Sequence, residues 1–465
     1  MLSLKDIMCK GFYYTLYPYQ KRGVALLDKH INKNGGALLS DDMGLGKTAQ
    51  VLAWLNHSGN IKKTVIIVVP SHLKETWRME LFKTTKRKGF VLEGQTPYKL
   101  EKNKIYIINY EIFSFWFMEL ERLKAKVLIW DECHYVSNEK AQRTGILKLL
   151  AEKIPCKIAL SGTPFKNSPM ELFTTLNIIC PKMFYNKYSF GHTYCYAEKN
   201  KFGLTFKGAK NSKKLHKILK TNLMIRRKKE KVLKELPLKT RIIVSVPLKN
   251  RKRYEKAESD FINWLREEEG TLAASRAKKA LSLVKITKLK KLIIEEKMEA
   301  IINWVSDFLH NTDKKLVIFA ENTFALDALH KKFSKTSIVY DGKTKKENKK
   351  QAPTIFEQNK NIRLFLGNLR SCSTGLTLTK ASDTLTIQLG WNSVIHDQAE
   401  DRVHRIGQKE KVFSYYCVGT NTIETKLLKL IEQKRNDTSK IMDGKKVKEK
   451  ENLLNLFLKE MLKDV

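Results

Sequence analysis

Residues 41–50 read Asp-Asp-Met-Gly-Leu-Gly-Lys-Thr-Ala-Gln, and their types and order suit a phosphate cradle. Gly44 and Gly46 let the backbone curl so that its N–H groups face phosphate oxygens. Lys47 can then reach the terminal phosphates, and the Thr48 hydroxyl can hold magnesium. Asp41 stands where the general pattern has its first glycine. A second group, Asp131-Glu132-Cys133-His134, offers paired carboxylates: Asp131 is assigned to magnesium and Glu132 to the attacking water. In Ser161-Gly-Thr-Pro164, the hydroxyls of Ser161 and Thr163 suit sensing of a γ-phosphate and relaying its loss, although the same four residues also make an ordinary turn. Far downstream runs Gln398-Ala-Glu-Asp-Arg402-Val-His-Arg405-Ile-Gly-Gln408. Arg402 and Arg405 are three apart and share a face on a helix, which suits charge stabilisation of a transferring phosphoryl group. A salt-bridged surface helix is the competing reading, since Glu400 and Asp401 adjoin them. Gln20, in Tyr17-Pro-Tyr-Gln20, has an amide that can read adenine's donor and acceptor.

These groups need elements to hold them. The apolar run 36–40 precedes the glycine loop and a helix-like run, 49–55, follows it, the strand–loop–helix context that such a loop requires. Further β-branched runs at 65–69, 104–109, 127–130 and 157–160 are spaced widely enough for crossover helices, the mark of a parallel sheet covered on both faces. Ligand chemistry in such sheets sits at the carboxyl ends of strands. Asp41, Asp131 and Ser161 each fall just past a run, so they can converge. Strand–helix alternation returns at 316–320, 337–340, 362–366, 385–389 and 413–418, led by a helix over 292–309 with apolar residues at helical spacing. Between the two series, residues 164–291 read as mostly helical, basic and inserted. Residues 343–350 read as a charged, flexible loop. The tail from Ile423 reads as helices broken near Asp443-Gly444.

The chain has 465 residues, enough for two or three domains, with 42% apolar and 9% aromatic content, which fits globular domains. Its 88 Lys+Arg against 48 Asp+Glu leave a net charge of +40, and that excess asks for a polyanion partner, most simply nucleic acid. Residues 199–253 alone hold twenty Lys/Arg and two Asp/Glu, and residues 273–294 hold seven basic and no acidic ones. Aromatics are interleaved in and just before the first of these stretches: Tyr185, Tyr188, Phe190, Tyr194, Tyr196, Phe202 and Phe206. Seven cysteines, an odd number without metal-ligand spacing, point to reduced thiols in an intracellular, soluble protein. No signal-peptide profile and no membrane-length apolar run is present, so no membrane partner is expected.

The loop at 41–50, the group at 131–134, Leu160-Ser-Gly-Thr-Pro-Phe-Lys-Asn167 and the stretch 398–408, in this order, resemble the Swi/Snf group of superfamily-two helicase-like ATPases. The acidic start at Asp41 belongs to that group's form of the loop. Leu223-Met-Ile-Arg-Arg227, followed by Val232-Leu-Lys-Glu-Leu-Pro237, is similar to the group's basic helical protrusion, and Gly419-Thr-Asn-Thr-Ile-Glu424 to the entry of its C-terminal brace. Phe190-Gly-His-Thr-Tyr-Cys195, Lys207-Gly-Ala-Lys-Asn211 with Leu215-His216, and Gly375-Leu-Thr-Leu-Thr379 resemble the branch that contains annealing helicases and fork remodellers; compact phage and viral enzymes are comparable. Trp391-Asn-Ser-Val394 departs from the group in lacking Pro after Trp-Asn, and Asn368-Leu-Arg-Ser371 in lacking a run of small residues.

The resemblance implies an α/β fold of two RecA-like lobes with helical insertions and a C-terminal helical brace: residues 1–240 (protrusion about 165–235), 241–435 (insertion about 250–291) and 436–465. It implies ATP and Mg2+ in a cleft. Gln20, Asp42, Met43, Gly44, Leu45, Gly46, Lys47, Thr48, Asp131 and Glu132 would come from lobe one, and Gln398, Arg402 and Arg405 from lobe two. Ser161 and Thr163 would couple hydrolysis to closure. Double-stranded DNA would meet Ser71, His72, Thr374, Gly375, Trp391, Arg226, Arg227 and Lys228, mostly through phosphate contacts and with low sequence specificity. A monomeric, DNA-dependent ATPase that translocates on duplex and remodels branched DNA is the leading expectation. Displacement of proteins or polymerase from DNA is a second, and an ATP-gated DNA-binding module with little turnover a third.

Overall fold

The computed structural model describes residues 11–165, 168–200, 203–267, 276–372, 376–391, 393–445, 457–458 and 461. Its strands are β1 (Gly36–Leu39), β2 (Val65–Val69), β3 (Gly89–Val91), β4 (Ile105–Asn109), β5 (Val127–Asp131), β6 (Cys156–Leu160), β7 (Tyr196–Asn200), β8 (Gly203–Lys207), β9 (Met224–Ile225), β10 (Lys239–Val246), β11 (Leu316–Ala320), β12 (Ser337–Tyr340), β13 (Leu364–Asn368), β14 (Asp383–Thr386) and β15 (Val412–Gly419). They form a seven-stranded sheet in the order β3-β4-β2-β5-β6-β1-β9, a six-stranded sheet in the order β10-β15-β14-β11-β13-β12, and the β7-β8 hairpin. Every pairing in the two large sheets is parallel. The chain divides into two compact units, one of residues 1–234 with 437–450 and the other of residues 235–436 with 451–465.

The apolar runs become central strands because both faces of each sheet are covered. In the first unit Leu38, Ile66, Val68, Leu128, Trp130 and Ala159 pack on one face, and Ala37, Leu39, Val65, Ile67, Val69, Val127, Ile129, Ile158 and Leu160 on the other. The second unit repeats the pattern, with Leu316, Ile318, Leu364, Leu366 and Leu385 on one face and Val317, Phe319 and Phe365 on the other. Each such Val, Leu, Ile or Phe side chain contributes about 1.5–3 kcal/mol on leaving water, so a parallel sheet of this kind is stable only between two layers of helices.

Strand order places the site. β5, β6 and β1 are neighbours, at the roughly 4.8 Å spacing of hydrogen-bonded strands, so residues just past their carboxyl ends meet within about 10 Å. The glycine loop follows β1, Asp131 ends β5 and Ser161 follows β6.

The structure corrects several sequence expectations. Residues 164–291 are mostly helical as expected, but not wholly: they also contain the β7-β8 hairpin, β9, which pairs with β1, and β10, which pairs with β15. Because β10 starts at Lys239, the chain has entered the second unit before residue 241. The charged stretch after residue 343 is not a loop throughout: helix Lys346–Gln358 begins within it, held by Ala352 and Phe356, which are buried. β13 and β14 are displaced by about two residues from the expected runs, in register with β11 (Leu316 opposite Leu364 and Asp383). The tail helix Ile423–Met442 does end before Gly444, whose φ is +74°. Thr374 and Gly375, along with Cys9, Lys166, Asn167 and Phe202, lie outside the described residues.

Candidate functional site

The loop after β1 turns through two left-handed glycines, Gly44 (φ +80°) and Gly46 (φ +69°), into helix Lys47–His57. The left-handed φ of Gly46 favours glycine, and a Cβ there would also lie 2.4 Å from Gln20 Nε2 and displace that side chain. Lys47 Nζ donates to the Asp41 carbonyl at 2.9 Å and to the Asp42 carbonyl at 3.4 Å. Thr48 occupies the helix's first turn.

The two carboxylates stand opposite this loop. Asp131 Oδ2 accepts from Trp77 Nε1 (3.0 Å), Asp131 Oδ1 accepts from the Glu132 N–H (2.9 Å), and the Asp131 carbonyl accepts from the Tyr110 hydroxyl (2.6 Å). Glu132 has a left-handed φ of +52°, so its side chain turns from the strand direction toward Ser161. Ser161 Oγ donates to Glu132 Oε2 (3.0 Å) and accepts from the Thr163 N–H (3.2 Å), while His134 Nδ1 lies 3.3 Å from the same Glu132 oxygen. Burial and the neighbouring Glu132 charge push Asp131 upward. Burial works in the same direction on Glu132, but His134, Lys47 and Ser161 outweigh it and hold that carboxyl well below its usual range. Two adjacent carboxylates driven apart in this way suit separate roles, one of them staying ionised as a base. Thr163 Oγ1 is buried without a hydrogen-bond partner among the described residues, a hydroxyl suited to a phosphate oxygen.

The loop rests on a network that sequence reasoning missed. Asp41 is fully buried and accepts from Arg227 Nε (2.9 Å), with Arg227 Nη2 on its other oxygen. Gln50 Nε2 donates to Asp41 Oδ2 (3.1 Å), and Arg227 also bonds Gln50 Oε1 and the Tyr19 carbonyl. The neighbouring Arg226 donates to the Ser40 carbonyl (3.1 Å) and pairs with Asp42 and Asp443; Lys228 pairs with Asp443 at 2.5 Å. These three cations, expected to meet DNA phosphates, are instead bonded to carboxylates beneath and beside the glycine loop. β9 pairs with β1 and delivers them there. Gln20 is likewise turned inward rather than toward a base: its Oε1 accepts from the Tyr17 N–H (3.0 Å) and its Nε2 donates to the Leu45 carbonyl (3.2 Å). The polar loop start was the available signal for Arg227, since an acid in place of glycine calls for a cation. Nothing local points to Trp77.

In the second unit, helix Ser393–Glu400 stops before the arginines, so Arg402 and Arg405 do not share a helix face. They converge by another route: Nη1 of Arg405 (2.9 Å) and Nη1 of Arg402 (3.5 Å) both donate to the Leu376 carbonyl, and Arg402 Nε bonds the Gln398 carbonyl. Beneath them Glu400, 1% exposed, accepts two bonds from Arg241 (2.8 and 2.7 Å) and one from the Tyr416 hydroxyl (2.6 Å), and pairs with Lys239. Of the remaining expected DNA contacts, Ser71 and His72 are exposed just past β2. Trp391 is half-buried against Phe457, with Lys290 Nζ over its ring.

The model of the SNF2-related domain matches residues 19–300, and that of the helicase conserved C-terminal domain matches residues 296–407. The chain belongs to the SNF2-related family. Among curated relatives of this SNF2-related chain, the Caenorhabditis elegans homolog of SWI/SNF-related matrix-associated actin-dependent regulator of chromatin subfamily A-like protein 1 is 30% identical over 447 residues, covering 93% of this chain and 62% of that protein. The human DNA annealing helicase and endonuclease ZRANB3 is 28% identical over 464 residues, covering 96% and 42%. An uncharacterized ATP-dependent helicase of Mycoplasma genitalium is 28% identical, covering 92% and 42%. The chain thus spans less than two thirds of the length of these relatives. The solved Sulfolobus solfataricus SWI2/SNF2 ATPase core in complex with dsDNA aligns at TM-score 0.44 and 21% identity, covering 94% of this chain and 95% of that one. Among the described residues no helix of this SNF2-related chain is long and apolar enough to cross a membrane.

Proposed function

We propose that this chain hydrolyses ATP to translocate on double-stranded DNA and that it remodels branched DNA. The observation that carries the reading is the meeting of Lys47, Asp131, Glu132 and Ser161 at the carboxyl ends of three adjacent strands, with Glu132 held ionised beside Lys47. The donor set fits a magnesium nucleotide: a glycine-lined N–H cradle, a lysine, the Thr48 hydroxyl, a buried carboxylate and the Thr163 hydroxyl, which has no partner among the described residues. When bound, Mg2+-ATP supplies the transferable phosphoryl group. The loop N–H groups and Lys47 bind its phosphates, Thr48 and Asp131 would hold the metal, and Glu132 orients the attacking water and takes its proton. Ser161 bridges Glu132 to the Thr163 backbone, so a change at the terminal phosphate is passed into the loop after β6. Arg402 and Arg405 are assigned to charge on the transferring group.

The branched-DNA reading draws on the net charge of +40 and on relatives that include an annealing helicase. Ser71 and His72 are retained as DNA contacts; Arg226 and Arg227 are not. ATP hydrolysis measured without DNA, then with linear, forked and four-way DNA at one stated salt concentration, tests the proposal. Turnover rises with duplex and rises further with branched substrates. No stimulation by any DNA sinks the motor reading, and equal stimulation by linear and branched DNA favours displacement of bound proteins instead.

A further inference from the structure

Beside the first unit's core lies an open-sided cavity of about 230 Å³, below the roughly 300–1,000 Å³ of drug-sized ligand sites and so of a size for one small group. Its walls include Phe184, Phe190 and Tyr194, and its rim includes Tyr185, Asn186 and Lys214. Phe190 and Tyr194 pack tilted at 58° with ring centres 4.9 Å apart, and Phe184 meets Phe190 edge-on at 6.0 Å, so the floor is aromatic packing. Tyr185 is different: it is 77% exposed, and no packing among the described residues accounts for so large a ring in water. Tyr188, 63% exposed, stands three residues on.

The surroundings select the occupant. Helix Ser212–Asn222 buries Leu215 and Leu219 and exposes Lys213, Lys214, Lys217 and Lys220. None of these four pairs with a carboxylate of a described residue, unlike the cations beneath the glycine loop. Asn186 Oδ1 is taken by the Ser189 N–H (2.9 Å), which leaves its NH2 group as a donor on the rim. An exposed ring, a small aromatic-walled cavity, an amide donor and uncompensated lysines together make the combination that binds single strands: a stacking platform beside a phosphate track. An apolar peptide would use the cavity but not the lysines.

We propose that this pocket binds an unpaired nucleotide of single-stranded DNA, its base against Tyr185 and its phosphate on Lys214. The proposal deepens the branched-DNA reading and rests on it, since a junction under remodelling exposes unpaired nucleotides. The test is fluorescence anisotropy of a labelled 15-nucleotide oligothymidylate with the full chain and its Y185A, Y185W and K214A variants, alongside duplex-stimulated ATP hydrolysis. Y185A weakens single-strand binding by about fivefold or more, Y185W restores it, K214A also weakens it, and duplex-stimulated turnover is unchanged in all three. Unchanged single-strand affinity in Y185A overturns the pocket, and so does a loss confined to K214A, which would mark diffuse charge attraction. If no DNA stimulates hydrolysis but Y185A still loses single-strand affinity, the motor reading fails while the pocket stands.

Discussion

At the scale of residues, the site is a set of opposed charges whose spacing decides their roles. Glu132 and Asp131 are neighbours in the chain, yet the left-handed backbone at Glu132 sends their carboxylates to different partners, Ser161 and Trp77. E132Q keeps the shape and removes the proposed base, so nucleotide binding measured by fluorescent ATP analogue should persist while turnover falls about 10²-fold or more. Loss of binding in E132Q would contradict the assignment. The Asp41–Arg227 pair makes a different demand. R227A leaves a buried carboxylate without its cation, which costs about 3–5 kcal/mol of stability, read as a lowered urea midpoint. Removing both charges in D41N/R227M should cost less than R227A alone; a larger cost would show that the pair stabilises beyond mutual neutralisation.

At the scale of elements, strands carry the chemistry and turns aim it. Arg402 and Arg405 sit in the turn after helix Ser393–Glu400, tied to the Leu376 carbonyl rather than stacked along a helix. R405A is expected to lower turnover on the order of 10³-fold with little change in nucleotide affinity, by steady-state kinetics and equilibrium binding; an affinity-only effect would mark a structural residue. The same helix carries His396, which burial holds down at about 4 while its Nε2 accepts the Gly390 N–H (3.0 Å). Its unfolded pKa is about 6.5, so the unfolded chain binds the extra proton first. The stabilisation is therefore complete above pH 6.5 and lost as pH falls through about 4, up to about 3 kcal/mol. Urea unfolding at pH 7.5 and pH 5 should show that acid loss in the wild type and a smaller one in H396Q. An equal acid loss in both would place its source elsewhere.

At the scale of the molecule, the +40 charge is the property most open to direct test. Duplex affinity should fall steeply with salt, on the order of 10³-fold or more between 50 and 200 mM if six or more phosphates are neutralised. A flat salt response would remove DNA as the polyanion. Much of this molecule was legible in its residues. β-Branched runs marked the central strands, the glycine loop lay between a strand and a helix as its context required, and the strand ends pointed to Asp131 and Ser161. Such signals are local, set by period and turn chemistry, and survive whatever surrounds them. What each cation does was not legible. Arg226, Arg227 and Lys228 read as a basic patch, and only the pairing of β9 with β1 shows Arg227 bonded to a carboxylate 186 positions earlier. Trp77, on the helix that follows β2, reaches Asp131 across 54 positions because β2 pairs with β5. Composition counts charges; the order of strands in a sheet decides which of them meet a partner and which are left facing water.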